Sequence, residues 1–283
     1  MGAITVALIS RFTILLLTIL SVLLNGCVTL TRAFDATLSK NDEFILVGSS
    51  CSDGWISKVD KTGNANWERH FANQVFINVS STADGGYIVI GGSSGARRGR
   101  IDFGPLRNNI VYSSHILSRL DSQGNLLWTR DLGGSIWDRL LVIIETSDGR
   151  FVTCGHIDSK GAGELDGWVV MLSQSGNLLW ERTFGGPESD FFTSIEETED
   201  HGYILSGVTG SNTRGGADAW LVKLDRAGSK QWERTYGGNE QDWISNVHQT
   251  RDGGYIAVGF TESMGSGGSD GWVLKLDAEG RLR

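Results

Sequence analysis

Past residue 40 the chain is a succession of short apolar runs separated by clusters of Gly, Asn, Asp and Ser. This is the rhythm of strands and turns. Between residues 190 and 236 four runs predict four strands: Asp190 to Thr198, Tyr203 to Val208, Ala219 to Leu224 and Lys230 to Tyr236. We name these positions a, b, c and d. Strand b is apolar on both faces, as in Tyr87-Ile88-Val89-Ile90 and Tyr255-Ile256-Ala257-Val258, which predicts burial on both sides. Strand c carries Trp55, Trp168, Trp220 and Trp272 at one equivalent place, with Ile116 in the second copy, and strand d carries Trp67, Trp128, Trp180 and Trp232. Burying such a ring brings a few kcal/mol, from ~25 cal/mol per Å² over roughly 150–250 Å². The paired indoles are therefore expected to join one unit to the next.

The pattern is a repeat. Asp200-His201-Gly202-Tyr203-Ile204 returns 52 positions later as Asp252-Gly253-Gly254-Tyr255-Ile256, and five copies begin near Asn41, Asp84, Asp148, Asp200 and Asp252. Units of this size cannot bury their apolar faces alone and must stack on their neighbours. Asp60-Lys61-Thr62-Gly63, Asp121-Ser122-Gln123-Gly124, Asp225-Arg226-Ala227-Gly228 and Asp277-Ala278-Glu279-Gly280 place Gly where a tight turn needs positive φ, and Asp where its carboxylate accepts turn amides. Strands c and d are thus expected to form one hairpin, and a and b another across Asp-Gly-Gly. Four antiparallel strands per unit, repeated, predict an all-β fold, a β-propeller of about five four-stranded blades. A first strand a is expected at about Thr31 to Ser39, and the propeller over 41–283. The fifth copy reaches Arg283 before its strand-d Trp, so the last blade is expected to be incomplete, with an edge open to pairing.

These residues carry a resemblance. Strand b ending in Gly, strand c, and a Trp in strand d look like kelch and galactose-oxidase blades. The Asp-x-x-Gly-x-x-x-Trp runs Asp60 to Trp67, Asp121 to Trp128 and Asp225 to Trp232 resemble the tryptophan-docking motif of quinoprotein-like propellers. The whole unit is similar to the Asp-Gly-Gly-Tyr-Ile repeat of secreted bacterial and archaeal propeller proteins. The resemblance implies the fold and leaves the activity open, since one fold hosts many functions.

The first 26 residues are different material: Arg11 is their only charge, and an apolar run from Thr13 to Leu24 precedes Asn25-Gly26-Cys27. The run is short for a bilayer span and has the form of a signal peptide. Leu24-Asn25-Gly26-Cys27 resembles the bacterial lipobox, in which the Cys is lipidated. The expectation is a lipoprotein signal peptide over 1–26, a lipid-anchored start and first inner strand over 27–40, and a location at the cell envelope; the alternative is an uncleaved membrane anchor. The net charge of −8 argues against nucleic acid, which needs a basic footprint. Apart from Cys27 only Cys51 and Cys154 remain, in non-equivalent places and too few for a structural zinc site.

Two groups of residues are candidate ligand sites. Asp138, Asp190 and Asp242 recur after Gly-Gly turns between strands d and a, with Gln74 in the shortened first copy. Converging at a channel mouth they would favour a cation, calcium among them. The alternative, preferred on residue type, is that each caps its own loop. The second group is Arg97, Arg98, Arg100 and Arg107 with Phe103, in an insertion that lengthens the second copy by 12 residues. It suits an anionic group or is a solvated loop. The five histidines share no repeat position, and no nucleophile or phosphate-loop motif appears. The function expected is a binding or scaffolding module, with no cofactor assigned, and with a protein or glycan at the envelope as partner. A quinoprotein-like or carbohydrate-active enzyme is the alternative.

Overall fold

A computed structural model of the protein describes residues 32–39, 43–50, 53–93, 101–103, 106–108, 114–133, 135, 137–213, 215–265 and 267–283. The expected signal peptide 1–26, Cys27, Cys51 and the arginines Arg97, Arg98 and Arg100 lie outside the described residues.

The chain divides into two compact units, Met1–Ile136 and Trp137–Arg283. In the first, β1 (Arg32–Leu38), β2 (Phe44–Ser50), β3 (Asp53–Val59) and β4 (Ala65–Phe71) form an antiparallel sheet in chain order. The strand expected near Thr31 to Ser39 is β1. A second sheet is made of β5 (Gln74–Ser81), β6 (Tyr87–Ser93), β9 (Ser114–Leu120) and β10 (Leu126–Leu132). Between β6 and β9 the insertion holds a separate two-stranded ladder, β7 (Ile101–Phe103) with β8 (Leu106–Asn108).

The second unit contains three sheets. The third sheet is β11 (Arg139–Glu145), β12 (Phe151–Ile157), β13 (Asp166–Leu172) and β14 (Leu178–Phe184), and the fourth is β15 (Asp190–Glu197), β16 (Tyr203–Thr209), β17 (Asp218–Leu224) and β18 (Lys230–Tyr236). The fifth is β19 (Asp242–Gln249), β20 (Tyr255–Thr261) and β21 (Asp270–Leu276), with one further bridge from Leu276 to Leu282. Consecutive four-stranded antiparallel sheets are the blades of a β-propeller, and among the described residues the fifth sheet has three strands.

Burial follows strand role. β16 and β17 are buried at every position, whereas β18 is mostly exposed. That is why strand d reads Lys-Gln-Trp-Glu-Arg-Thr-Tyr while b and c are nearly continuous apolar runs. Every strand a has a register shift at the same place, and the last regular pair before it always ends on the strand-b glycine: Ala33 with Gly48, Phe76 with Gly91, Leu140 with Gly155, Phe192 with Gly207 and Ile244 with Gly259. A Cβ on Gly91, Gly155, Gly207 or Gly259 would run into the carbonyl oxygen of Val75, Arg139, Phe191 or Trp243. The bulge brings that backbone so close that only hydrogen fits.

The strand-d indoles join neighbouring sheets within each unit. Trp67 lies 6.1 Å from Tyr87, Trp180 6.3 Å from Tyr203 and Trp232 5.7 Å from Tyr255, each pair linking strand d of one sheet to strand b of the next. The same rings rest on the c–d turn of that next sheet. Gly124, Gly228 and Gly280 have φ of +76°, +79° and +76°, and a Cβ on them would strike Trp67, Trp180 and Trp232. An arginine two residues on covers each indole, Arg69 and Arg182 at 5.5 Å and Arg234 at 6.0 Å. Each guanidinium adds a cation–π contact to the ring it covers. The strand-c indole works inside: Trp220 stacks on Phe192 at 4.6 Å and 11° within the core shared by the third and fourth sheets.

Candidate binding surfaces

The loop aspartates are placed first by their backbone. Asp190 opens β15 and Asp242 opens β19, and their amides donate to Leu165 O at 2.7 Å and Ala217 O at 2.8 Å in the b–c loop of the preceding sheet. Their carboxylates then face inward. Asp190 Oδ2 accepts from Gly186 N and Ser211 Oγ, both at 2.8 Å, and Oδ1 accepts from Thr209 Oγ1. Asp242 repeats this with Gly238 N at 2.8 Å, Ser263 Oγ at 2.6 Å and Thr261 Oγ1. Asp138 accepts from Asp158 N at 2.9 Å, Ser159 N at 3.2 Å and Ser159 Oγ at 2.8 Å. All three side chains are buried, at 0 %, 0 % and 1 % exposure for Asp138, Asp190 and Asp242. The geometry is that of the capping alternative: Asp190 and Asp242 close the Gly-Gly turn, and all three bind the Thr-x-Ser or Ile-x-Ser end of strand b. Burial raises the Asp242 carboxyl, but the donors from Ser263, Thr261 and Gly238 outweigh it and hold it below the usual carboxylate range. Asp218, at the head of β17, is raised instead by burial and by the charge of Asp242.

At the opposite, a–b and c–d end, charges that sequence reasoning did not single out hold the turns. Lys223, 4 % exposed along its side chain, donates to Asp200 Oδ2 at 2.9 Å, Leu224 O at 2.9 Å and Gln231 Oε1 at 3.0 Å. Arg119 grips Asp84 through Nη2 at 2.5 and 2.6 Å. Burial pushes both carboxyls up, yet these cations and the Thr and Gly donors of the turn bring each down to about 2. The third sheet has Met171 in the place of the cation, and there Asp148 is held by its neighbour Arg150 at 2.7 Å and by Arg226 of the fourth sheet's c–d turn at 2.8 Å. A signal was present in the chain: Lys223 follows Asp200, and Lys275 follows Asp252, by 23 residues. Arg119 follows Asp84 by 35, the 12-residue insertion making the difference.

A concavity of ≈ 370 Å³ opens at this end of the second unit, lined by Ser147, Glu196, Glu197, Thr198, Glu199, His201 and Gln249. Two of its carboxylates bridge sheets. Glu197 accepts from Ser147 N at 2.6 Å and Ser147 Oγ at 2.8 Å on the third sheet, and Glu196 accepts from Gln249 N at 3.0 Å and pairs with His248 on the fifth. Among the described residues no group of three His, Cys, Asp or Glu side chains is arranged to hold a metal ion. Cys154 is a buried free thiol in β12 whose ionisation burial strongly opposes.

No family model matches the chain. The regulatory protein FlaEY of Caulobacter vibrioides is 24 % identical over 209 residues, 64 % of this chain and 21 % of FlaEY, so the chain spans about a fifth of that relative's length. Among solved structures, a Bacteroides caccae protein of unknown function matches with TM-score 0.53 at 11 % identity, over 89 % of this chain and 80 % of that one. The Dos1 propeller matches with TM-score 0.50 at 12 % identity, over 89 % of this chain and 57 % of that one. At such identities the likeness concerns the fold, and the fold is the β-propeller that the sheets define.

Proposed function

We propose that the protein is a lipid-anchored, extracytoplasmic β-propeller that binds or scaffolds another protein or a glycan at the cell envelope. The observation that carries this reading is where the polar chemistry sits. Asp190 and Asp242 fix loops, Glu196 and Glu197 bridge sheets, and Lys223 and Arg119 are locked to turn aspartates. These groups give a rigid framework, and what the framework offers outward is turn tips and outer strands. Anchoring rests on the apolar run before Cys27, whose lipidation would hold the propeller at the membrane.

Expression of the full chain in a bacterium that processes lipoproteins tests the anchor. The expected result is a membrane-bound product with an acylated Cys27 at its N-terminus and a Cys27→Ser variant that leaves the membrane fraction; an unchanged distribution of that variant would overturn the anchor. Photo-crosslinking from a reactive residue placed at Glu199, and separately at Trp137, tests binding. A discrete adduct in intact cells is expected, and its absence from both positions, with the anchor intact, would overturn the binding role.

A further inference from the structure

The outer strand sets a fixed pair of side chains against the strand-c indole. In the third sheet Trp168 stands opposite Thr183, and Glu181, two residues earlier on the same face of β14, accepts a hydrogen bond from Trp168 Nε1 at 3.2 Å. In the fourth sheet Trp220 stands opposite Thr235, again with a glutamate, Glu233, two residues before it. The first sheet keeps the register and changes one residue: Trp55 stands opposite His70, with Glu68 two residues before it.

The change redirects the carboxylate. Glu68 Oε1 lies 2.6 Å from His70 Nε2, and both side chains are half-exposed. Trp55 is 4 % exposed, and among the described residues its buried Nε1–H meets no acceptor. A buried donor without an acceptor is costly, so the indole that has lost its glutamate still competes for it. The other charged groups of β3 and β4 are engaged elsewhere. Lys58 pairs with Glu43 at 2.6 Å, Arg69 covers Trp67 on the opposite face beside Asp121 of the second sheet's turn, and Asp53 accepts from Asn73 N at 3.1 Å. The strands β2 and β5, which pack against β3, carry no charged side chain.

Histidine is the side chain that changes charge between about pH 5 and 8. The contact of His70 with Glu68 is an ion pair only while the ring is protonated, whereas the indole N–H is a donor throughout. We propose that His70 and Trp55 compete for the Glu68 carboxylate, and that this competition makes the outer strand of the first sheet a pH-sensitive element. In acid the imidazolium keeps Glu68 within β4 and the indole stays bare. As the pH rises the ring loses its charge and the carboxylate turns across to Trp55, adding a bond between β3 and β4. Since β4 also carries Trp67, which meets Tyr87 of the second sheet, the device tunes how firmly the strand that joins two blades is held. It goes beyond the binding role and does not depend on it.

The test uses the full chain in detergent, isotope-labelled at its tryptophan nitrogens, with each indole N–H followed by NMR and Trp55→Phe assigning the resonance. Between about pH 5 and 8, exchange of the Trp55 N–H, corrected for its intrinsic rate, is expected to slow about tenfold, while Trp168, whose glutamate has Thr183 for a neighbour, stays level. His70→Thr restores the residue of the third sheet and is expected to give slow exchange across the whole range; Glu68→Ala is expected to give fast exchange across it. A level profile at Trp55 in the parent protein overturns the proposal, and this measurement needs no variant that must fold. A pH dependence that survives in His70→Thr, or an equal slope at Trp168, overturns it as well.

Discussion

The fourth and fifth blades are close copies in sequence and differ in how completely they are enclosed. β17 is buried at all seven positions between β16 and β18, whereas β21, with the same Trp and the same penultimate Lys, is buried only at Leu274 and Leu276. Lys223 is 4 % exposed and Lys275 40 %. The repeat thus specifies which residue stands where, but the outer strand decides how dry each position is, and dryness sets the strength of the same charge pair and the same stack.

The largest expected effect comes from the glycine at the strand-a bulge. Gly207→Val drives a side chain into Phe191 O and is expected to cost about 3 kcal/mol or more in urea unfolding, since overpacking against backbone has no rotamer to relax into. Gly259→Val, with the matching clash at Trp243 O, is expected to cost less because three strands yield more readily than four. Equal costs would show that the outer strand does not stiffen the sheet.

Next in size is the indole between the two blades. Trp232→Ala removes the contacts with Tyr255 and the Gly280 turn and is expected to cost about 2 kcal/mol, below a fully buried Trp because the ring is half-exposed. Hydrogen exchange should then speed up in β19–β21 while β16 and β17 stay protected. Uniform loss of protection would mean that the blades melt as one unit.

Smaller still is the buried cation. Lys223→Met copies the third sheet, where Met171 occupies that place, and is expected to change stability at pH 7 by less than about 1 kcal/mol. Its signature lies in acid. The Asp200 carboxyl is at about 2 in the fold against 3.8 without its partners. A depressed folded value gives stability that is present above pH 3.8 and disappears as pH falls through 2. Melting of the parent protein between those pH values should therefore fall more steeply than that of Lys223→Met, and parallel curves would remove the pair from the account. The smallest effect concerns calcium: the oxygens of Asp190 and Asp242 already accept from loop amides and hydroxyls, so calcium or chelator is expected to leave the melting temperature in place. A rise of several degrees with calcium would show that those donors can be displaced.

Strand roles, hairpin turns and the first and last strands were legible because each leaves a local mark: an apolar run, an Asp-x-x-Gly turn, a missing Trp. The turn aspartates also behave as read, with Asp60 accepting from Thr62 N and Asn64 N at 2.8 and 3.0 Å, and Asp225 from Ala227 N and Ser229 N at 2.8 Å. What was not legible lies across blades. Nothing near Trp180 says that its ring rests on Gly228, because the two meet only when sheets stack. The Lys223–Asp200 pair was hidden for another reason: one Lys amid an apolar run reads as noise until its 23-residue offset is found again at Lys275. The loop aspartates showed their position and not their inward direction, so cation binding and capping stayed open until their donors were known.

The replacement of a cation by Met171 has a consequence for how such an array can grow. Asp148 draws its second arginine, Arg226, from the following module, whereas the third module's own turn offers Gln174 at that place. A tandem duplicate of the third module would face Gln174 and lose the clasp, so the modules are not interchangeable parts, and their order along the chain decides which turn carboxylates find a cation.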